Sequence, residues 1–130
     1  MAEEVNKKHL TLGRRGEELA RRFLQKGGYR ILETNYRGLL GEIDLVAREG
    51  DCLVFVEVKT RSTAAYGHPF ESINPRKQYQ LSKVAGEYLA AHGGAEQFCR
   101  FDAVSVLLAG GEPRIELVKN AFEIDGRKGR

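Results

Sequence analysis

The chain of 130 residues has no tryptophan, one methionine, three prolines and two cysteines. Cys52 and Cys99 stand far apart and share no CxxC or Cys/His spacing, so neither a disulfide framework nor a zinc site is indicated. Two reduced, buried thiols in a cytoplasmic protein are the expectation. No apolar run approaches the ~20 residues of a membrane span, so no spanning helix is expected. The opening MAEEVNKKHL lacks an apolar core followed by a small-residue cleavage site, so no signal peptide is expected. Internal repeats, low-complexity tracts and linkers are also absent. The expected organisation is a flexible segment at 1–12, one domain at 13–125 and a basic tail at 126–130.

What is present suits a soluble globular protein, with 42% hydrophobic and 30% charged residues. Net charge is +3, and Arg127, Lys128 and Arg130 alone account for the excess. A basic tail is compatible with a nucleic-acid partner but does not establish one. Any such argument has to come from a site.

Hydrophobic spacing predicts a first helix from Gly13 to Lys26, with Thr11 near its cap and Gly27-Gly28 ending it. Leu12, Leu19, Ala20, Phe23 and Leu24 share one side at 100° per residue, Glu17 lies at the edge of that stripe, and Glu18 faces water. Strands are predicted at Arg30–Tyr36, Glu42–Ala47 and Leu53–Arg61. Asn74-Pro75 reads as a cap and first-turn proline for a second helix to Ala91, with Leu81, Val84, Ala85 and Tyr88 inward. Strands at Arg100–Leu108 and Arg114–Val118 complete the order αβββαββ, a mixed α/β sheet covered by helices.

The strongest strand, LVFVEVKTR, carries Glu57 and Lys59 two residues apart and hence on one face. The preceding strand, GEIDLVA, joins it through Arg48-Glu49-Gly50-Asp51-Cys52. If Gly50-Asp51 form a two-residue turn, glycine at the first position suits type II′. That register sets Asp44 opposite Glu57 and Glu42 opposite Lys59. Facing carboxylates repel, and the arrangement makes sense around a hard divalent cation with oxygen ligands, with Lys59 as a fixed positive charge beside it. Phosphodiester hydrolysis uses such a set. The bland alternative is a solvated cross-strand pair, and for Glu17 a helix-dipole contact at the N-terminal end.

The segments GRRGEELARRFL, NYRGLLGEIDLVA, LVFVEVKTR and FDAV resemble the YraN-like family of small bacterial proteins. That family is similar in its motifs to the PD-(D/E)XK nuclease superfamily, including archaeal-type Holliday-junction resolvases. The resemblance covers roughly residues 13–108. It implies a restriction-endonuclease-like fold and a metal-dependent DNA endonuclease, resolvase-like in substrate, using Mg²⁺ or Mn²⁺. By motif, it assigns catalysis to Glu17, Asp44, Glu57 and Lys59, with Asp44, Glu57 and Glu17 as metal ligands. Glu42-Ile43 precede Asp44 where the superfamily's name has proline. Rival readings are a non-catalytic nucleic-acid-binding or adaptor module and an RNA-directed nuclease. A homodimer and a protein partner in a DNA-processing complex are further expectations of the resemblance.

Other residues carry smaller expectations. Lys77 and Gln78, in the first turn of the second helix, are candidates to hold a phosphate at a positive helix end. Arg61, just past the strand, is a candidate backbone-phosphate contact. Asp102 interrupts an apolar strand and reads as a structural hydrogen bond or ion pair. In the loop STAAYGHPFESI, His68 reads as a weak proton-shuttle candidate, and Tyr66 and Phe70 as loop anchors.

Overall fold

A computed structural model describes residues 11–63, 70, 73–93 and 98–122. His68, Tyr66 and the basic tail, and the expectations attached to them, lie outside the described residues. The element order is α1 (Leu12–Lys26), β1 (Arg30–Arg37), β2 (Glu42–Glu49), β3 (Cys52–Arg61), α2 (Pro75–Ala91), β4 (Cys99–Leu107) and β5 (Arg114–Phe122). This is the αβββαββ order that the sequence predicts. The described residues form a five-stranded mixed sheet with two helices, consistent with a restriction-endonuclease-like fold.

The strands lie in sequence order, β1-β2-β3-β4-β5. All neighbours are antiparallel except β3 and β4, which run parallel. A parallel pair needs a crossover connection, and α2 supplies it. Glu49 and Cys52 close the β2–β3 hairpin around Gly50, whose φ of 61° fits the turn read from the sequence.

Two cores form, one on each face. Leu81, Val84, Ala85 and Tyr88 of α2 pack with Ile43, Val46, Phe55 and Phe101, and Phe70 joins them from the loop. Ala20 and Leu24 of α1 pack with Leu45, Val54, Val56 and Val104. Leu12 and Phe23, expected on the inward stripe of α1, are each 39% exposed at its rim. The reason is close approach: Gly16 is buried against β3, and a Cβ there would lie 1.8 Å from Thr60 Oγ1. A helix seated on glycine and alanine buries a narrow stripe and leaves its bulky neighbours at the margin.

The helix ends follow local chemistry. Thr11 Oγ1 accepts the Arg14 N–H at 3.2 Å, and Gly28 takes a φ of 98° just past Lys26. Asn74 Oδ1 accepts the Lys77 N–H at 2.9 Å, with Pro75 opening α2. Several strands outrun their predicted ends: β2 reaches Glu49 and β5 reaches Phe122. Ladder hydrogen bonds from adjacent strands extend them beyond their own apolar pattern.

Candidate active site

Two strands that pair over part of their length and then part company build the site. The β2–β3 ladder runs from Glu49↔Cys52 to Leu45↔Val56, the register expected from the turn. The next pair in that register would be Asp44 with Glu57, and there the backbone ladder stops. Asp44 instead turns its carboxylate across the gap, and Oδ2 accepts the Val58 N–H at 2.8 Å. Strand alternation breaks at the same point. Ile43 packs in the α2-side core while Leu45, two residues on, packs in the α1-side core, although residues two apart normally share a face. The neighbouring position on β1, between the pairs Thr34↔Leu45 and Tyr36↔Ile43, is Asn35, with a φ of 52°. Asparagine tolerates this left-handed conformation better than most residues. Glu42 has its ladder partner in Arg37 of β1, so the expected opposition to Lys59 is not a ladder pair.

Alternation along β3 puts Glu57, Lys59 and Arg61 on the face of Phe55, the α2 side. Glu57 is 4% exposed. Its Oε2 lies 3.4 Å from the Lys77 Nζ, and its Oε1 is buried without a hydrogen-bond partner. Glu17 approaches from the α1 side, where its Oε1 accepts a hydrogen bond from the Asn35 amide at 3.0 Å. The close seat of Gly16 on Thr60 sets how near Glu17 comes. Gln78 donates its amide to the Ile73 carbonyl at 3.0 Å, bracing the start of α2. Lys59 and Arg61 are half-buried at the end of β3.

The electrostatics single out Asp44. Burial, and then the negative charge of Glu57, push its pKa up to about 8; the Val58 N–H opposes the shift and Glu17 adds to it. Without a cation, the Asp44–Glu57 pair therefore holds a proton at neutral pH. Two carboxylates in one desolvated site cannot both ionise cheaply. Among the described residues, no group of three or more His, Cys, Asp or Glu side chains stands ready to hold an ion. The donors that do converge are the Asp44–Glu57 pair. An all-oxygen pair with one orphaned buried oxygen fits a hard divalent cation, which takes one or two carboxylates and completes its shell with water and phosphate.

Sequence reasoning missed Asn35. Its signal was an asparagine inside the strand-like run RILETNYR, level with Asp44 on the next strand.

On the other face of the sheet, Asp102 is fully buried and fully satisfied. It accepts hydrogen bonds from Tyr29 Oη at 2.7 Å, Arg100 Nε at 2.8 Å and the Asn120 N–H at 3.0 Å. Arg100 also binds Glu49, which Lys119 holds at 3.0 Å. The hydrogen bond to Asp102 raises the pKa of Arg100, and burial raises that of Tyr29. This is the structural ion pair expected for Asp102.

Fold and site together define a small α/β protein with a mixed five-stranded sheet, a carboxylate pair of buried Glu57 and half-buried Asp44, and a lysine on the strand of Glu57. The model described as "Uncharacterised protein family UPF0102" matches residues 16–106, a span that contains Glu17, Asp44, Glu57, Lys59 and Lys77. The chain belongs to this family, the YraN family. A UPF0102 protein of Anaeromyxobacter dehalogenans (strain 2CP-C) is 48% identical over 119 residues, covering 92% of this chain and 89% of its own. One from Syntrophus aciditrophicus (strain SB) is 47% identical over 116 residues, covering 89% and 91%. One from Alkaliphilus metalliredigens (strain QYMF) is 46% identical over 112 residues, covering 86% and 97%. No helix among the described residues is long and apolar enough to cross a membrane.

Proposed function

We propose that the protein is a metal-dependent endonuclease acting on DNA. The observation that carries this reading is the Asp44–Glu57 pair: two carboxylates, Glu57 buried and Asp44 half-buried, that hold a proton between them at neutral pH, with no other group donating to Glu57 Oε1. Such a pair is costly to fold, and a divalent cation is the ligand that removes the cost.

Asp44 and Glu57 would hold Mg²⁺ or Mn²⁺, with Glu17 acting through water. Bound there, the ion supplies Lewis-acid polarisation of a phosphoryl oxygen and a more acidic water. The chain's own residues do the rest. The Val58 N–H fixes the Asp44 carboxylate, and Asn35 fixes Glu17. Lys59, two residues from Glu57 on the same face, sets a compact positive charge where phosphoryl charge develops. Arg61 continues that face toward the backbone of the nucleic acid.

The decisive experiment incubates the protein in Mn²⁺ with branched, flapped, single-stranded and duplex DNAs and a structured RNA. Cleavage of DNA that is lost in Glu57→Ala is the expected result. Cleavage of the RNA alone would change the substrate class. Binding without cleavage on any substrate would make the protein a nucleic-acid-binding adaptor.

A further inference from the structure

Lys77 brings a cation into contact with the carboxylate pair, and it arrives from a different element. Its Nζ lies 3.4 Å from Glu57 Oε2, with the lysine side chain 39% exposed and that of Glu57 6%. The lysine reaches in from solvent to a buried acid. Its backbone is held by the Asn74 cap and the opening proline, so the side chain can swing while the helix stays in place. The pairing is incomplete, because Lys77 contacts Oε2 and not Oε1.

We propose that Lys77 is a displaceable counter-ion: in the free protein it neutralises Glu57, and on entry of a divalent cation it is released to a phosphate of the DNA. This inference rests on the metal-binding reading of the site. A cation on Glu57 repels the ammonium beside it, and the same residue then gains an anion from the substrate. The first turn of α2 favours that exchange, since the helix dipole attracts negative charge there. The arrangement couples cation and nucleic acid: each ligand ends up relieving the cost of placing the other. It also gives Lys77 a role distinct from that of Lys59, which lies on the strand itself.

The test uses the full chain. Mn²⁺ is titrated calorimetrically into the wild type, Lys77→Gln and Asp44→Asn without DNA. Binding of a fluorescent duplex is then measured with and without Ca²⁺. Lys77→Gln should bind Mn²⁺ about fivefold or more tightly than wild type, because the competitor is gone, a typical size for coupling between sites. Its affinity for the duplex should fall by a similar factor with Ca²⁺ and by clearly less without cation. Wild-type Mn²⁺ binding that Asp44→Asn abolishes and Lys77→Gln leaves unchanged or weakens would overturn the counter-ion role alone. A duplex affinity reduced equally with and without cation would overturn it too. Absence of Mn²⁺ binding by the wild type would overturn the metal site and, with it, the exchange.

Discussion

Two acids stand at neighbouring levels of the β3–β4 ladder, on opposite faces of the sheet, and the protein treats them oppositely. Asp102 is level with Val56, and Glu57 is level with Ala103. Each belongs to a place where strand pairing is irregular. The β4–β5 register shifts around Asp102, whose carboxylate takes the Asn120 N–H; the β2–β3 ladder ends at Leu45, and Asp44 takes the Val58 N–H. Each irregularity sits beside an asparagine with positive φ, Asn120 in one case and Asn35 in the other. The difference lies in the charge balance. Around Asp102 an arginine, a tyrosine and a backbone amide supply donors. Around Glu57 a second carboxylate supplies repulsion, and one lysine reaches in from the surface. A satisfied buried network holds a fold together, whereas an under-satisfied one is poised for something the chain does not itself supply.

The largest expected effect tests the under-satisfied side. The folded-state pKa of Asp44, about 8, lies above its ordinary value of 3.8. The native state therefore holds a proton that the unfolded chain has released, and metal-free stability falls as pH rises from about 4 to about 8. The slope is at most about 1.4 kcal/mol per pH unit from this group, and it vanishes above the folded pKa. Asp44→Asn should remove that slope. Urea melts of both proteins in chelator across pH 4–9 should show the mutant gaining over the wild type up to about pH 8, then a constant gap. Parallel curves would mean that Asp44 is ionised in the free protein and that the two sides of the sheet do not differ as described.

Next comes the satisfied side. Arg100→Met leaves Asp102 buried without its main partner, and breaking one half of a buried ion pair costs about 3–5 kcal/mol. Chemical denaturation measures the loss. Mn²⁺ affinity per folded molecule should not change, because Arg100 serves the scaffold. A variant with full stability and impaired metal binding would reverse the assignment of the two clusters.

The smallest of the three concerns Lys59. Lys59→Met should leave melting and Mn²⁺ affinity nearly intact while single-turnover cleavage falls about 10²-fold, roughly 2.7 kcal/mol, the scale of losing one preorganised charge at the reacting phosphate. Lys59→Arg should not restore the rate, since a broad guanidinium does not replace a compact ammonium. Wild-type turnover in Lys59→Met would leave the lysine a strand-face charge.

The element order and the inward face of α2 were legible, and that of α1 in part, because each rests on local periodicity and end signals: Thr11 and Asn74 as caps, Gly28 after α1, Gly50 in the hairpin. The turn in turn set the β2–β3 register, so the meeting of Asp44 and Glu57 could be read from one strand pair. Three contacts that define the site could not be read in this way. Glu17 meets Asn35 across the α1–β1 packing, Lys77 meets Glu57 across the loop and α2, and Gly16 seats α1 on Thr60. Tyr29 likewise meets Asp102 from 73 residues away.

By itself, then, the sequence determined which residues could carry charge on the face of one strand, because alternation and a two-residue turn act over a few bonds. Tertiary structure decided which of those charges would be answered. Whether a buried carboxylate finds an arginine, a lysine or another carboxylate depends on how helices and distant strands are brought together in a low-dielectric interior. There, a partner a few ångströms away determines whether the acid keeps its proton.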